Sequence, residues 1–120
     1  MPYARITSNV SKAGVDTVVA SSAIAQTLNE QWGVPAPFMM VQLELEVPTL
    51  LQLNDEPAAY VHARTIGLTS DQKPKTIAAL TQIVSEQLKV AAERVYVVLE
   101  DIKVGNWGAN GVTVIPPAKK

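Results

Sequence analysis

An amine, a lone imidazole and a few carboxylates are the groups in this chain that could move a proton. The amine stands in the most unusual position. Pro2 directly follows Met1. An initiator methionine is normally removed when the next residue is small, and proline qualifies, which leaves Pro2 as a secondary amine fixed at the start of the chain. In water such an amine is largely protonated at neutral pH. Apolar surroundings disfavour the charged form and bring the amine toward the working pH, where it can move a proton between carbon and oxygen with no metal and no cofactor. Other constellations offer less. Gly105-Asn106-Trp107-Gly108 lacks the Lys-Ser/Thr ending of a phosphate loop. His62 is the one histidine, and no Gly-x-Ser-x-Gly turn presents a nucleophile for it to serve. Glu100 and Asp101 are adjacent, so on a strand they point to opposite faces, a solvated strand end rather than a paired acid and base. With no cysteine and one histidine, disulfides, thiolate chemistry and Cys- or His-rich metal sites are excluded.

The elements that must position these groups are readable from periodicity. Residues 2–9 alternate small or apolar side chains with larger polar ones, which predicts a strand. From about Val15, residues Val18, Val19, Ile24, Leu28 and Trp32 recur at helical spacing, and Gly33 stands where a helix C-terminal glycine belongs. Residues 34–37 form a rigid proline-containing connection. In the next strand Met39, Val41, Leu43, Leu45 and Val47 face one way, and Pro48 ends it. Residues 50–57 read as a loop turning at Asn54-Asp55. A strand over 58–66 puts Ala59, Val61 and Ala63 on one face and Tyr60, His62 and Arg64 on the other. Ser70 or Asp71 caps a second helix with Pro74 in its first turn and a buried stripe of Ile77, Leu80, Val84 and Leu88. Residues 94–99 are a valine-dense strand, 105–111 turn the chain, and 112–115 add a short edge strand before a polar tail at 116–120.

The order is two βαβ units. Each crossover joins parallel strands in a right-handed sense. The predicted fold is α/β (α+β), a single domain over residues 1–120, with a four-stranded sheet and two helices on one face. The other face then needs cover, and neighbouring copies of the chain are the simplest supply.

Composition agrees with this. The 120 residues are 48% hydrophobic but only 5% aromatic, enough for one core that hides roughly two-thirds of the unfolded chain's surface. The formal net charge of -1 supplies no attraction for nucleic acid or an anionic membrane. No run reaches the ~20 apolar residues of a membrane span, and the start lacks the pattern of a secretory signal, so a soluble cytoplasmic protein is expected.

Several short motifs recur in a fixed order: Met1-Pro2 opening a strand, Gly33-Val34-Pro35 before a strand, Glu56-Pro57 leading into a strand that ends Thr65-Ile66-Gly67, Glu93-Arg94-Val95-Tyr96, and Asn106-Trp107-Gly108-Ala109-Asn110. In that order and spacing, from Pro2 to about Val114, the chain resembles the macrophage migration inhibitory factor family within the tautomerase superfamily. The resemblance implies a mixed sheet with short extra edge strands, assembled as a homotrimer whose three sheets enclose a barrel, with active sites between subunits. It implies that Pro2 is the catalytic base in keto-enol tautomerisation of a small enolisable 2-oxo compound of the phenylpyruvate type, without a cofactor. Ile66 would offer backbone contacts, and Tyr96 would reach the pocket from a neighbouring subunit. Phe38, Trp107 and Val114 would be its walls.

The chain departs from the family pattern at two places. Val34 stands where the family has a lysine that meets the substrate carboxylate, a contact worth ~1.5–3 kcal/mol. Val98 replaces an asparagine. Both changes dry the pocket and weaken the hold on an acid. Arg64, Arg5 and Lys103 are the candidate replacement cations, Arg64 first because it shares a strand face with Ile66. Two functions are therefore open: a tautomerase-like isomerase, or a non-catalytic trimeric binding or cytokine-like protein that retains the fold.

Overall fold

The computed structural model of the chain describes residues 2–115. Met1 and the expected polar tail at 116–120 lie outside the described residues. In chain order the elements are β1 (Tyr3–Ser8), α1 (Thr17–Trp32), β2 (Met40–Glu44), β3 (Ala59–Ile66), α2 (Gln72–Leu88), β4 (Val95–Ile102), and a hairpin of β5 (Gly108–Ala109) and β6 (Val112–Thr113).

The sheet order is β2-β1-β3-β4, with β1·β2 and β3·β4 parallel and β1·β3 antiparallel. The two expected βαβ units are thus joined by antiparallel pairing between their first strands. One sheet face packs on the helices. Ala4, Ile6, Val61 and Ala63 are buried against Ile24, Leu28, Leu80 and Val84. The other face carries Tyr60, Tyr96, Val98 and Met40, all exposed within one chain. No helix of the described residues is long and apolar enough to cross a membrane.

Helix α1 starts on Asp16, whose carboxylate accepts from the Val19 N–H at 3.1 Å. It ends at Gly33, left-handed at φ 70°, whose N–H reaches the Asn29 carbonyl at 2.9 Å. Its buried stripe is Ala20, Ile24 and Leu28. Val18 and Val19, expected on that stripe, are exposed in the first turn.

Helix α2 departs from expectation in a similar way. Thr76, Leu80, Val84 and Leu88 are its buried residues, while Ile77 is exposed. A threonine takes the core position because its hydroxyl has a partner there, the Trp32 indole N–H at 2.9 Å. Asp71 occupies the cap position without a side-chain bond; instead the Gln72 side chain accepts from the Thr69 N–H at 2.9 Å.

Strand β2 stops at Glu44, three residues short of the expected end, because Glu46 takes a left-handed φ of 62° and breaks the ladder. Strand β4 runs to Ile102, past the expected end at Leu99. Its two acids are held there by partners on β3 and on the loop after it. Among the described residues, Gly108 and Ala109 after β4 pair with Thr113 and Val112 in an antiparallel hairpin, not at an edge of the main sheet.

Candidate active site

The strand directions determine what can meet. Since β1 and β2 run together and β3 and β4 run against them, one end of the sheet gathers the starts of β1 and β2 and the ends of β3 and β4. Pro2 and Tyr3 arrive there from the first pair with Met40, and Arg64 and Ile102 from the second. Phe38, in the 3-10 turn Ala36–Phe38 that leads into β2, adds one wall. Asn106, Trp107, Gly108 and Ala109, entering the hairpin, add the last. Together these residues line a pocket of about 510 Å³, within the ordinary range for small-molecule sites.

Pro2 is held on both sides. Its ring is fully buried and its carbonyl accepts from the Met40 N–H at 3.2 Å. Most of the wall is apolar, and Arg64 is the one charged side chain among the lining residues. Its guanidinium lies 5.2 Å from the centre of the Tyr3 ring, a cation–π distance. Arg64 Nη2 meets His62 Nδ1 at 3.3 Å, and His62 Nε2 meets a Glu100 carboxylate oxygen at 2.9 Å. A guanidinium can only donate, so Nδ1 accepts and the proton on Nε2 is donated to Glu100. Arg64 Nε is buried without a hydrogen-bond partner, 3.7 Å from the same Glu100 oxygen.

The neighbouring acid has another role. Asp101 accepts from the N–H groups of Gly67 and Leu68 at 3.0 and 3.1 Å, pinning the turn after β3. Glu100 and Asp101 therefore work on opposite faces, as adjacent strand residues must.

Four of the residues singled out in the sequence line this pocket: Pro2, Phe38, Arg64 and Trp107. The other four do not line it within one chain. Ile66 pairs with the lining residue Ile102. Val114 is tied to the wall residue Trp107, its N–H donating to the Trp107 carbonyl at 2.8 Å. Val34 sits in the turn after α1, its carbonyl bonded by the Asn29 amide at 2.8 Å. Tyr96 pairs with Tyr60 at the far end of the sheet. Of the three candidate cations only Arg64 lines the pocket. Arg5 is paired with Glu44, whose hydrogen bond and charge raise its pKa above the ordinary arginine value. Lining residues not anticipated from sequence are Tyr3, Met40, Ile102, Asn106, Gly108 and Ala109. Tyr3 and Met40 follow once the β1·β2 register pairs them.

Comparison with known proteins agrees with the fold. The family model described as macrophage migration inhibitory factor (MIF) matches residues 1–115. A probable tautomerase of Listeria monocytogenes is 39% identical over 46 residues, 38% of this chain and 75% of that protein. The macrophage migration inhibitory factor of Meriones unguiculatus is 24% identical over 114 residues, covering 94% of this chain and 98% of its own. The crystal structure of a macrophage migration inhibitory factor homologue from Prochlorococcus marinus superposes with a TM-score of 0.86 at 27% identity, over 92% of this chain and 97% of that one.

Proposed function

The chain belongs to the macrophage migration inhibitory factor family, and from that premise we propose that it is a tautomerase-like isomerase whose base is the amine of Pro2. The observation that carries this reading is the buried Pro2 ring in the wall of a mainly apolar pocket. Such walls disfavour a charged amine and keep a neutral base available near neutral pH.

In the proposed reaction Pro2 takes a proton from the carbon next to the carbonyl of a phenylpyruvate-like 2-oxo acid. The released C–H electron pair becomes the enol double bond, the carbonyl π pair moves to oxygen, and the protonated amine returns its proton to that oxygen. The aryl group lies along Phe38, Met40 and Trp107, while Arg64 answers the carboxylate. The site is completed in a homotrimer, where Tyr96 of a neighbouring copy approaches Pro2. The exposed, partly aromatic sheet face supports such an assembly. Ile66 contributes through its backbone, and Val114 by holding Trp107 in place.

A non-catalytic binding role is the second reading, favoured by Val34 where the family's lysine is expected and by Arg64 being partly engaged with His62.

The reading requires Pro2 to become the first residue. Protein whose intact mass shows loss of Met1 should interconvert the keto and enol forms of phenylpyruvate. Protein forced to retain Met1 has an amide nitrogen at that place, not an amine, and should be inactive. Equal rates for the two would overturn the assignment, and no turnover by the processed protein would favour the binding role.

A further inference from the structure

The chain Glu100–His62–Arg64 crosses β4 and β3 on the open sheet face and ends at the pocket. We propose that His62, tethered by Glu100, is the positioning residue that turns the Arg64 guanidinium toward the Pro2 pocket and gives that pocket its preference for carboxylates. The inference rests on the small-acid site proposed above and adds the residue that prepares it.

Arginine has five donors in a planar fork. His62 takes one of them, on Nη2, and Glu100 lies near Nε. That edge of the guanidinium thus faces the protein. Among the described residues Nη1 has no acceptor, and one Nη2 proton is also spare. These two nitrogens form the outer fork, the arrangement that grips a carboxylate with two parallel hydrogen bonds. The Tyr3 ring lies beside the guanidinium at a cation–π distance.

His62 matters because of what lies next to it. Arg64 and Glu100 are direct register partners on adjacent parallel strands, with Nε 3.7 Å from the carboxylate. The two already form an ion pair through Nε. Without the imidazole N–H on Glu100, the carboxylate would be free to turn further onto the Nη donors. Glu100 would then occupy the donors that a ligand needs. With the imidazole in place, the Glu100 carboxylate is engaged by the His62 N–H, and the cation is kept available.

The test is binding, which needs no turnover. 3-Phenylpropanoate and its neutral amide are titrated by calorimetry into the native protein and into three variants. The native protein should prefer the acid. Arg64→Met should abolish that preference. His62→Ala should weaken the acid by about tenfold, the scale of a lost charge-assisted contact, and the amide by less than about twofold. His62→Gln should restore most of the acid affinity, because a glutamine amide can accept from Arg64 and donate to Glu100. A merely structural histidine would lower both affinities together and would not be rescued by glutamine. Equal losses for acid and amide, failure of the glutamine variant to rescue, or no acid preference in the native protein would each overturn the proposal. If the binding pattern holds in a protein that never interconverts phenylpyruvate, the tautomerase reading fails and this one stands.

Discussion

Replacing Pro2 with glycine should lower turnover of phenylenolpyruvate by about 10²-fold or more, the lower range of what a positioned general base contributes. Glycine retains an amine, so the loss measures position and environment rather than the mere presence of nitrogen. Proline's ring locks the nitrogen against its own Cα and aims it from the residue just before β1. In the native chain that ring is fully buried and its carbonyl is tied to Met40. Glycine removes the ring, frees the backbone and admits water around the amine. Deleting three buried methylene groups costs about 2 kcal/mol at ~0.8 each, so the thermal unfolding of the variant must be recorded beside its rate. A loss below about tenfold in a folded variant would show that the proline ring contributes little to placing the base.

The second large effect concerns stability. Arg94→Ala should cost about 3 kcal/mol, the usual scale for breaking a buried polar network, and lower the melting temperature by roughly 10 °C at fixed protein concentration. Arg94 is 5% exposed. Its Nε donates to the Pro57 carbonyl at 2.8 Å, Nη2 to Glu56 at 3.0 Å and Nη1 to Leu51 at 3.3 Å. It clamps the loop that delivers the chain into β3. The opposite side of that loop is held by Asn9, which bonds the carbonyls of Asp55 and Glu56 and the Ala58 N–H. Alanine would remove a donor from three carbonyls. Glu56 keeps Asn9 and Leu51 keeps the Asn54 N–H, so the loss falls most heavily on the Pro57 carbonyl and on the clamp itself. Lysine, a point charge without the fork, should recover only part of the loss. Urea unfolding would check both variants; a cost under about 1 kcal/mol for alanine would mean that the loop finds other partners.

Arg94 also shows what sequence alone can and cannot reveal. Glu56-Pro57 and Glu93-Arg94 were visible as separate members of one ordered set of motifs. Their contact was not, since nothing local says that a guanidinium will meet carbonyls 37 and 38 residues earlier. Strand β3 was legible to within a residue because its small apolar side chains alternate cleanly with Tyr60, His62 and Arg64. Helix α2 was legible as a helix, but its stripe was misjudged at Ile77. Hydrophobicity favours isoleucine over threonine, and only the indole of Trp32, 44 residues away, reverses the choice. Strand β4 was read too short for a related reason. Glu100 and Asp101 look like a polar strand end until His62 and the Gly67-Leu68 turn supply partners. In the site, Pro2, Phe38, Arg64 and Trp107 were anticipated, whereas Ile102 depended on that unrecognised extension.

The placement of Tyr96 carries a last consequence. It shares a row with Tyr60, while Glu100 and Arg64 form the row at the pocket, four residues along β4 and about 13 Å away at ~3.3 Å per residue. On the proposed assembly an isolated chain owns two half-sites, one at each end of its sheet, and no complete one. On the proposed assembly, a subunit lacking its proline could still lend its tyrosine, and a subunit lacking its tyrosine could still lend its proline. Mixing two such inactive variants should return activity in the hybrid trimers, and dilution below the association range should extinguish it.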